Sequence, residues 1–128
     1  MISFKPVRAT DEEGLAIISA EIHDAYLDLD QLVVDGAAAS VPLSRGETRR
    51  RLIGWTSRLG DDPNWDAQLV VRGASEVLVE DDQGIGTYSI NQLALDIDAG
   101  AIRIDLNEAA SIVFVTVGVD VEIQARTQ

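Results

Sequence analysis

A long run of alternating apolar residues near the end of the chain constrains the fold more than any other feature. Within residues 111–123, every odd position from 113 onward is valine or isoleucine. β-branched side chains suit a pleated surface, so this period-two pattern predicts one long strand. Ile112 and Phe114 are also apolar, whereas Asp120, Glu122 and Gln124 are polar. The pattern predicts a strand buried on both faces in its first half, buried on one face afterwards, and bent at Gly118.

Two short helices are predicted earlier in the chain. Leu15, Ile18 and Ile22 recur on one helical stripe, and Thr10 begins a capping-box spacing just before them. A second helix is predicted within residues 44–60, where another capping-box spacing precedes apolar residues at helical intervals.

The remaining apolar runs predict strands joined by tight turns. Leu27 and Leu29 alternate with aspartates, and Asp35-Gly36 is typical of a type I′ hairpin turn, in which both central residues need positive φ. The predicted strands, besides the last one, cover residues 24–36, 37–43, 68–80, 88–97 and 101–106. The fold class is therefore predicted as α+β: a single domain over residues 1–128, with a mostly antiparallel twisted sheet of about six strands and one or two short helices.

Composition and charge exclude several classes of function. The chain of 128 residues has no cysteine and a formal net charge of −12. The missing cysteines exclude disulfides and thiolate sites and favour a reducing compartment. The negative charge would repel phosphate backbones and anionic lipids, so neither a nucleic acid nor a membrane is expected as a partner. The first residues carry no signal-peptide pattern, which predicts a cytoplasmic protein.

The charge is unevenly distributed along the sequence. Residues 24–44 contain four acids and no base, whereas residues 45–58 contain five arginines and one glutamate. We interpret the arginine-rich stretch as a solvated face that pairs with neighbouring carboxylates. The alternative is a docking surface for an anionic partner.

No residue combination predicts a catalytic, cofactor or metal site. His23-Asp24 resembles a metal-bridging pair, but that chemistry needs several histidines and the chain has one. The pair Asp28 and Asp30 would share a strand face, where two carboxylates can bind calcium or act as acid and base. Calcium loops require a spacing that this stretch lacks, so a solvated face is the simpler interpretation.

The candidate residues for interaction lie mainly in the first hairpin. Four carboxylates fall within twelve residues with no base among them, and they predict contact with a cationic protein. A tryptophan outside the apolar pattern could anchor a partner, since tryptophan is enriched at interface hot spots. The candidate residues are Asp24, Asp28, Asp30, Asp35 and Trp65.

Two segments carry a resemblance to known proteins. Residues 22–30, Ile-His-Asp-Ala-Tyr-Leu-Asp-Leu-Asp, together with residues 84–91, Gly-Ile-Gly-Thr-Tyr-Ser-Ile-Asn, resemble a family of small uncharacterised bacterial proteins. The first segment is also similar to the first strand of small acidic immunity proteins, which neutralise toxins by direct binding. The expected function is a non-enzymatic protein-interaction module with a possible homodimer. The alternatives are an inhibitor of a basic toxin and a carboxylate- or metal-dependent hydrolase.

Overall fold

Ten strands and one α-helix form within residues 7–45, 65–96 and 98–125, the part of the chain that this computed structural model describes. In chain order, the elements are β1 Val7–Ala9, α1 Glu12–Ile22, β2 Tyr26–Asp28, β3 Val33–Asp35, β4 Ala38–Arg45, β5 Trp65–Arg72, β6 Ala74–Glu80, β7 Thr87–Asp96, β8 Ala101–Leu106, β9 Ser111–Thr116 and β10 Val121–Ala125. Short 3-10 turns follow β2 at Leu29–Gln31 and β8 at Asn107–Ala109.

Helix α1 buries the stripe that the sequence predicts. Leu15, Ile18 and Ile22 are all at most 1% exposed and pack into the core. The predicted cap is displaced by one residue, because Asp11, not Thr10, is the N-cap. Its Oδ1 accepts a hydrogen bond of 2.7 Å from Gly14 N, and this satisfies one of the free amides of the first turn.

All strand pairs are antiparallel, which confirms a mostly antiparallel α+β fold. The prediction of about six strands is wrong, because the sheet has ten. The hydrogen-bonded order is β1-β10-β5-β4-β2-β7-β8-β9-β6, with β3 pairing β4. Strands β5 and β6 are separated in the chain only by Gly73. The hydrogen-bonded path from β5 to β6 therefore begins and ends in one continuous segment, and we call this path the circuit. The core is built from residues of this circuit together with residues of α1, β1 and β10.

The extra strands arise where long apolar runs bend or are interrupted. The predicted strand 68–80 is divided at Gly73, whose φ of +76° is easily reached only by glycine. The predicted strand 24–36 is divided by a 3-10 turn, in which Asp28 Oδ1 accepts a hydrogen bond of 3.0 Å from Asp30 N. An aspartate side chain that bonds the backbone two residues on favours a turn over a strand.

The last predicted strand also divides, into β9 and β10, and Gly118 lies in the bend as predicted. Before this bend the residues that face the core have even numbers, and after it they have odd numbers. Ile112 and Phe114 are buried before the bend, whereas Val121 and Ile123 are buried after it. The prediction that the first half is buried on both faces is therefore wrong, because Val113 and Val115 are only half-buried. A strand that bends from one part of the sheet to another need not keep the same residues inward.

The two predicted hairpins are present. Strands β7 and β8 pair over Asp96↔Ala101, as expected. Strands β3 and β4 pair over Asp35↔Ala38, so the central residues of that turn are Gly36 and Ala37 rather than Asp35 and Gly36. Positive φ is found at the first central residue, Gly36, with +62°, which is typical of a type II′ turn and not of the predicted type I′ turn.

Some predictions fall on residues that the structure leaves undescribed. The second helix and the arginine-rich stretch lie outside the described residues, except that Ser44 and Arg45 end β4. Within the described ranges, no helix is long and apolar enough to cross a membrane.

Candidate functional site

The predicted acidic residues of the first hairpin lie on three consecutive local structures rather than on one strand face. Asp28 ends β2, Asp30 lies in the 3-10 turn and Asp35 ends β3. The expectation that Asp28 and Asp30 share a strand face is wrong, because the chain leaves the extended conformation after Asp28. Asp30 and Asp35 are exposed and Asp28 is half-buried. The turn therefore spreads the carboxylates along the hairpin.

Exposed apolar side chains accompany these carboxylates. Tyr26 is 45% exposed, and Val33 and Val34 are each 54% exposed. Together with Asp28, Asp30 and Asp35, these three side chains define the first-hairpin surface, which includes both faces of β3 because Val33 and Val34 are consecutive in that strand. Large apolar groups beside charged ones are characteristic of protein interfaces, where an apolar centre is surrounded by a polar rim.

A shallow cleft of about 210 Å³ opens beside this surface. It lies where β2 separates from β4: their register ends at Leu27↔Leu43, and the next residue of β4 is Pro42, which has no N–H to donate. Its polar and aromatic lining consists of Tyr26, Asp28, Gln31, Ser44 and Thr87. The cleft can receive one side chain of a partner next to a carboxylate.

The connection between β6 and β7, residues 81–86, is hydrogen-bonded to the 3-10 turn. Leu29 N donates a hydrogen bond of 2.8 Å to Gly86 O. The connection is itself fixed by Tyr88, which is 1% exposed and donates its hydroxyl proton to Asp81 Oδ1. Burial, and then this contact with Asp81, raise the pKa of Tyr88 above its ordinary value. The hydroxyl therefore stays protonated at neutral pH and holds the loop in place.

The other two candidate residues lie outside residues 26–35, which carry this surface. Asp24 connects α1 to β2 with a φ of +68°, and its N–H donates a hydrogen bond of 2.8 Å to Ile90 O. Its Oδ2 is 3.7 Å from Nε2 of His23, whose Nδ1 lies 3.0 Å from Asn91 O. Trp65 begins β5 opposite Arg45 in the register. Asp24 therefore serves the junction between helix and sheet.

A network of charged side chains joins β1, β10 and β5. Arg8 in β1 donates Nε and Nη2 to the two oxygens of Asp120, at 2.9 and 2.8 Å. Arg72 in β5 contacts Asp120 at 3.5 Å and Glu122 at 2.9 Å. The hydrogen bond from Arg8 lowers the pKa of Asp120, and hydrogen bonds from Gln124 and then Arg72 lower that of Glu122. These groups tie β1, β10 and β5 together.

No metal cluster and no relative defines the site further. Among the side chains that the structure describes, no group of three acids or histidines could hold a metal ion. No family model matches the sequence, and the searches of curated proteins and of solved structures also give no match. The resemblance to small bacterial and immunity-type proteins therefore stays a prediction.

The acids of the surface were predicted from the sequence, but its apolar residues were not. A signal for one of them was present, because Val33 and Val34 are consecutive and two neighbouring residues of a strand cannot both face the core. Tyr26 gave no such signal, since it could equally have faced inward.

Proposed function

We propose that the protein is a non-enzymatic interaction module that binds a cationic protein through the first-hairpin surface. The observation that supports this most is the combination of Tyr26, Val33 and Val34, all about half exposed, with three carboxylates in a stretch of ten residues that has no base. The apolar groups would supply the buried area, and the carboxylates would select positive charge and speed the encounter.

The narrower form of this proposal is an inhibitor of a basic enzyme. An acidic protein of net charge −12 would associate quickly with a basic target at low salt, and this advantage would fall as salt screens the charges. The partner would place a cationic side chain near Asp28 in the cleft and cover Tyr26.

Affinity capture from a cell lysate with matched variants tests the proposal. In Asp28→Asn/Asp30→Asn the amide oxygen of residue 28 can still accept from the backbone N–H of residue 30, so the turn is kept while two charges are removed. Tyr26→Ser removes the exposed aromatic ring. The control, Glu13→Gln/Asp98→Asn, removes two exposed charges elsewhere.

The expected result is that basic proteins, identified by mass spectrometry, are captured by the wild type and the control and lost with both surface variants. If all four proteins capture the same partners, or if the captured proteins are not basic, the proposed function is wrong.

A further inference from the structure

Strands β3 and β6 each have one edge unpaired among the described residues, and these edges border the same opening. In that part of the chain β3 pairs with β4 alone, and β6 pairs with β9 alone. The segments 29–37 and 73–86, which contain these strands, are joined at both ends by backbone hydrogen bonds. At one end Gly73 N donates to Ala37 O at 2.6 Å, and at the other Leu29 N donates to Gly86 O at 2.8 Å. The free edges of β3 and β6 therefore flank one opening in the sheet.

The register shows that this opening leaves core-facing side chains uncovered. Val34 pairs with Ala39, and Val79 pairs with Ile112, so each shares the inward face of its strand with a partner that is at most 1% exposed. Val34 is nevertheless 54% exposed and Val79 is 45% exposed. Inward-facing side chains with this exposure indicate that no strand within the described ranges covers them.

Strand β6 is the longer of the two edges and carries a symmetric pattern. Within the described part of the chain, β6 pairs with β9 on one side, and its other side from Ser75 onward is a free edge that offers backbone donors and acceptors. On its outward face, Leu78 lies between Glu76 and Glu80, while Val77 and Val79 face inward. The pattern is the same in either direction, so it fits a parallel or an antiparallel neighbour.

The charges around the opening determine which kind of segment can pair with β6. Residues 28–37 and 73–86 together contain seven acids and no base. Arg103 on β8 is near enough to Glu80 for this carboxylate to raise its pKa, after the larger effect of Asp105. A second copy of this chain would bring its own acidic edge against this one. A cationic segment would be attracted to both sides of the opening.

We propose that β6 adds an extended cationic segment of a partner protein as a further strand, with basic residues opposite Glu76 and Glu80 and apolar residues between them. This inference rests on the proposed function and gives the conformation of the bound partner. Main-chain hydrogen bonds to the edge would supply affinity, and the alternating side chains would supply specificity, as in other cases of strand addition. The three apolar residues of the segment would cover Val77, Leu78 and Val79.

A pair of synthetic peptides tests this inference. The matched peptide contains Lys-Val-Leu-Val-Lys, and the control peptide contains Lys-Lys-Val-Leu-Val, which has the same composition and charge with the wrong spacing. Fluorescence anisotropy would measure their affinities for the full-length protein, and hydrogen exchange would locate the bound peptide. We expect the matched peptide to bind at least about tenfold more tightly and to protect amides of residues 74–80, since an added strand pairs the free edge.

Two variants of the protein complete the test. Leu78→Lys places a positive charge, which repels the lysines of the peptide, in the middle of the edge. Because Leu78 is 51% exposed, this change should leave the fold intact. Glu76→Gln/Glu80→Gln removes the selecting charges. Both variants should lower the affinity for the matched peptide by about tenfold or more, whereas Glu13→Gln/Asp98→Asn should not.

Three results would overturn strand addition. They are equal affinity for the two peptides, protection confined to residues 26–35, and a wild-type dimer that Leu78→Lys dissociates. The second result, with partner capture still sensitive to Asp28→Asn/Asp30→Asn, would leave the proposed function standing. Conversely, if the peptide binds to β6 but partner capture is unchanged by Asp28→Asn/Asp30→Asn and by Tyr26→Ser, the proposed function is wrong and strand addition remains.

Discussion

Three valines in residues 111–123 are equivalent in the sequence pattern but lie in different environments. Val113 is half-buried on the outer face, Val117 is 95% exposed and Val121 is fully buried. Threonine keeps the β-branched shape of valine and replaces one methyl group with a hydroxyl. The same substitution at each position therefore measures how well each site tolerates a polar group.

The structure gives the expected magnitude at each position. In the register, Val121 lies beside Ala9 and Val71, both apolar and at most 1% exposed, so their side chains offer no acceptor for a hydroxyl. A buried hydroxyl without a partner costs about 1–3 kcal/mol in proteins. We expect Val121→Thr to lower the free energy of unfolding by this amount. Val117→Thr should change it by less than about 0.5 kcal/mol, as for most surface substitutions.

Urea unfolding followed by far-UV circular dichroism would measure the three variants. Val113→Thr should lie between the other two, and the slope of unfolding free energy against urea should stay the same for all of them. Equal losses at residues 117 and 121 would mean that the valines share one environment, and the change of core-facing side at the bend would be refuted.

Three further outcomes follow from the contacts. Because Arg8 holds the pKa of Asp120 below its unfolded value, this carboxylate stabilises the fold above the unfolded pKa and loses that effect as pH falls through the folded pKa. Asp120→Asn should therefore reduce the acid-induced drop in urea midpoint between about pH 5 and about pH 2. Tyr88→Phe removes the proton donor to Asp81, so the urea midpoint should fall and amide exchange in residues 81–86 should quicken. Gly118→Ala should leave stability within about 0.5 kcal/mol, because no atom lies within 4 Å of the added methyl group and φ is not positive.

Much of the fold class was readable from the sequence, because alternation and helical spacing report directly on which residues face the core. Leu15, Ile18 and Ile22 gave α1, and the runs around residue 98 gave the β7–β8 hairpin. The strand count was not readable. A period-two run does not indicate where the chain bends, and Ile112 and Phe114 made both faces of β9 look equally apolar.

The charges of the candidate surface could be predicted from the sequence, but its shape could not. The acids of the first hairpin are evident from composition, but the turn at Asp28 depends on a side-chain hydrogen bond that competes with strand formation. The exposure of Val34 and Val79 was beyond sequence reasoning, because it depends on which strand edges are left without a neighbour. That is a property of the whole topology.

The most direct test that the first-hairpin surface and β6 bind one cationic segment together is a nuclear magnetic resonance titration of isotope-labelled protein with the Lys-Val-Leu-Val-Lys peptide. The account predicts that backbone amide shifts change at residues 26–35 and 74–80, on the two sides of the opening. Asp28→Asn/Asp30→Asn should reduce these changes, and salt should weaken them. Shift changes spread over remote exposed carboxylates, such as Glu13 and Asp98, would contradict the account, since they would show attraction to net charge without a binding surface.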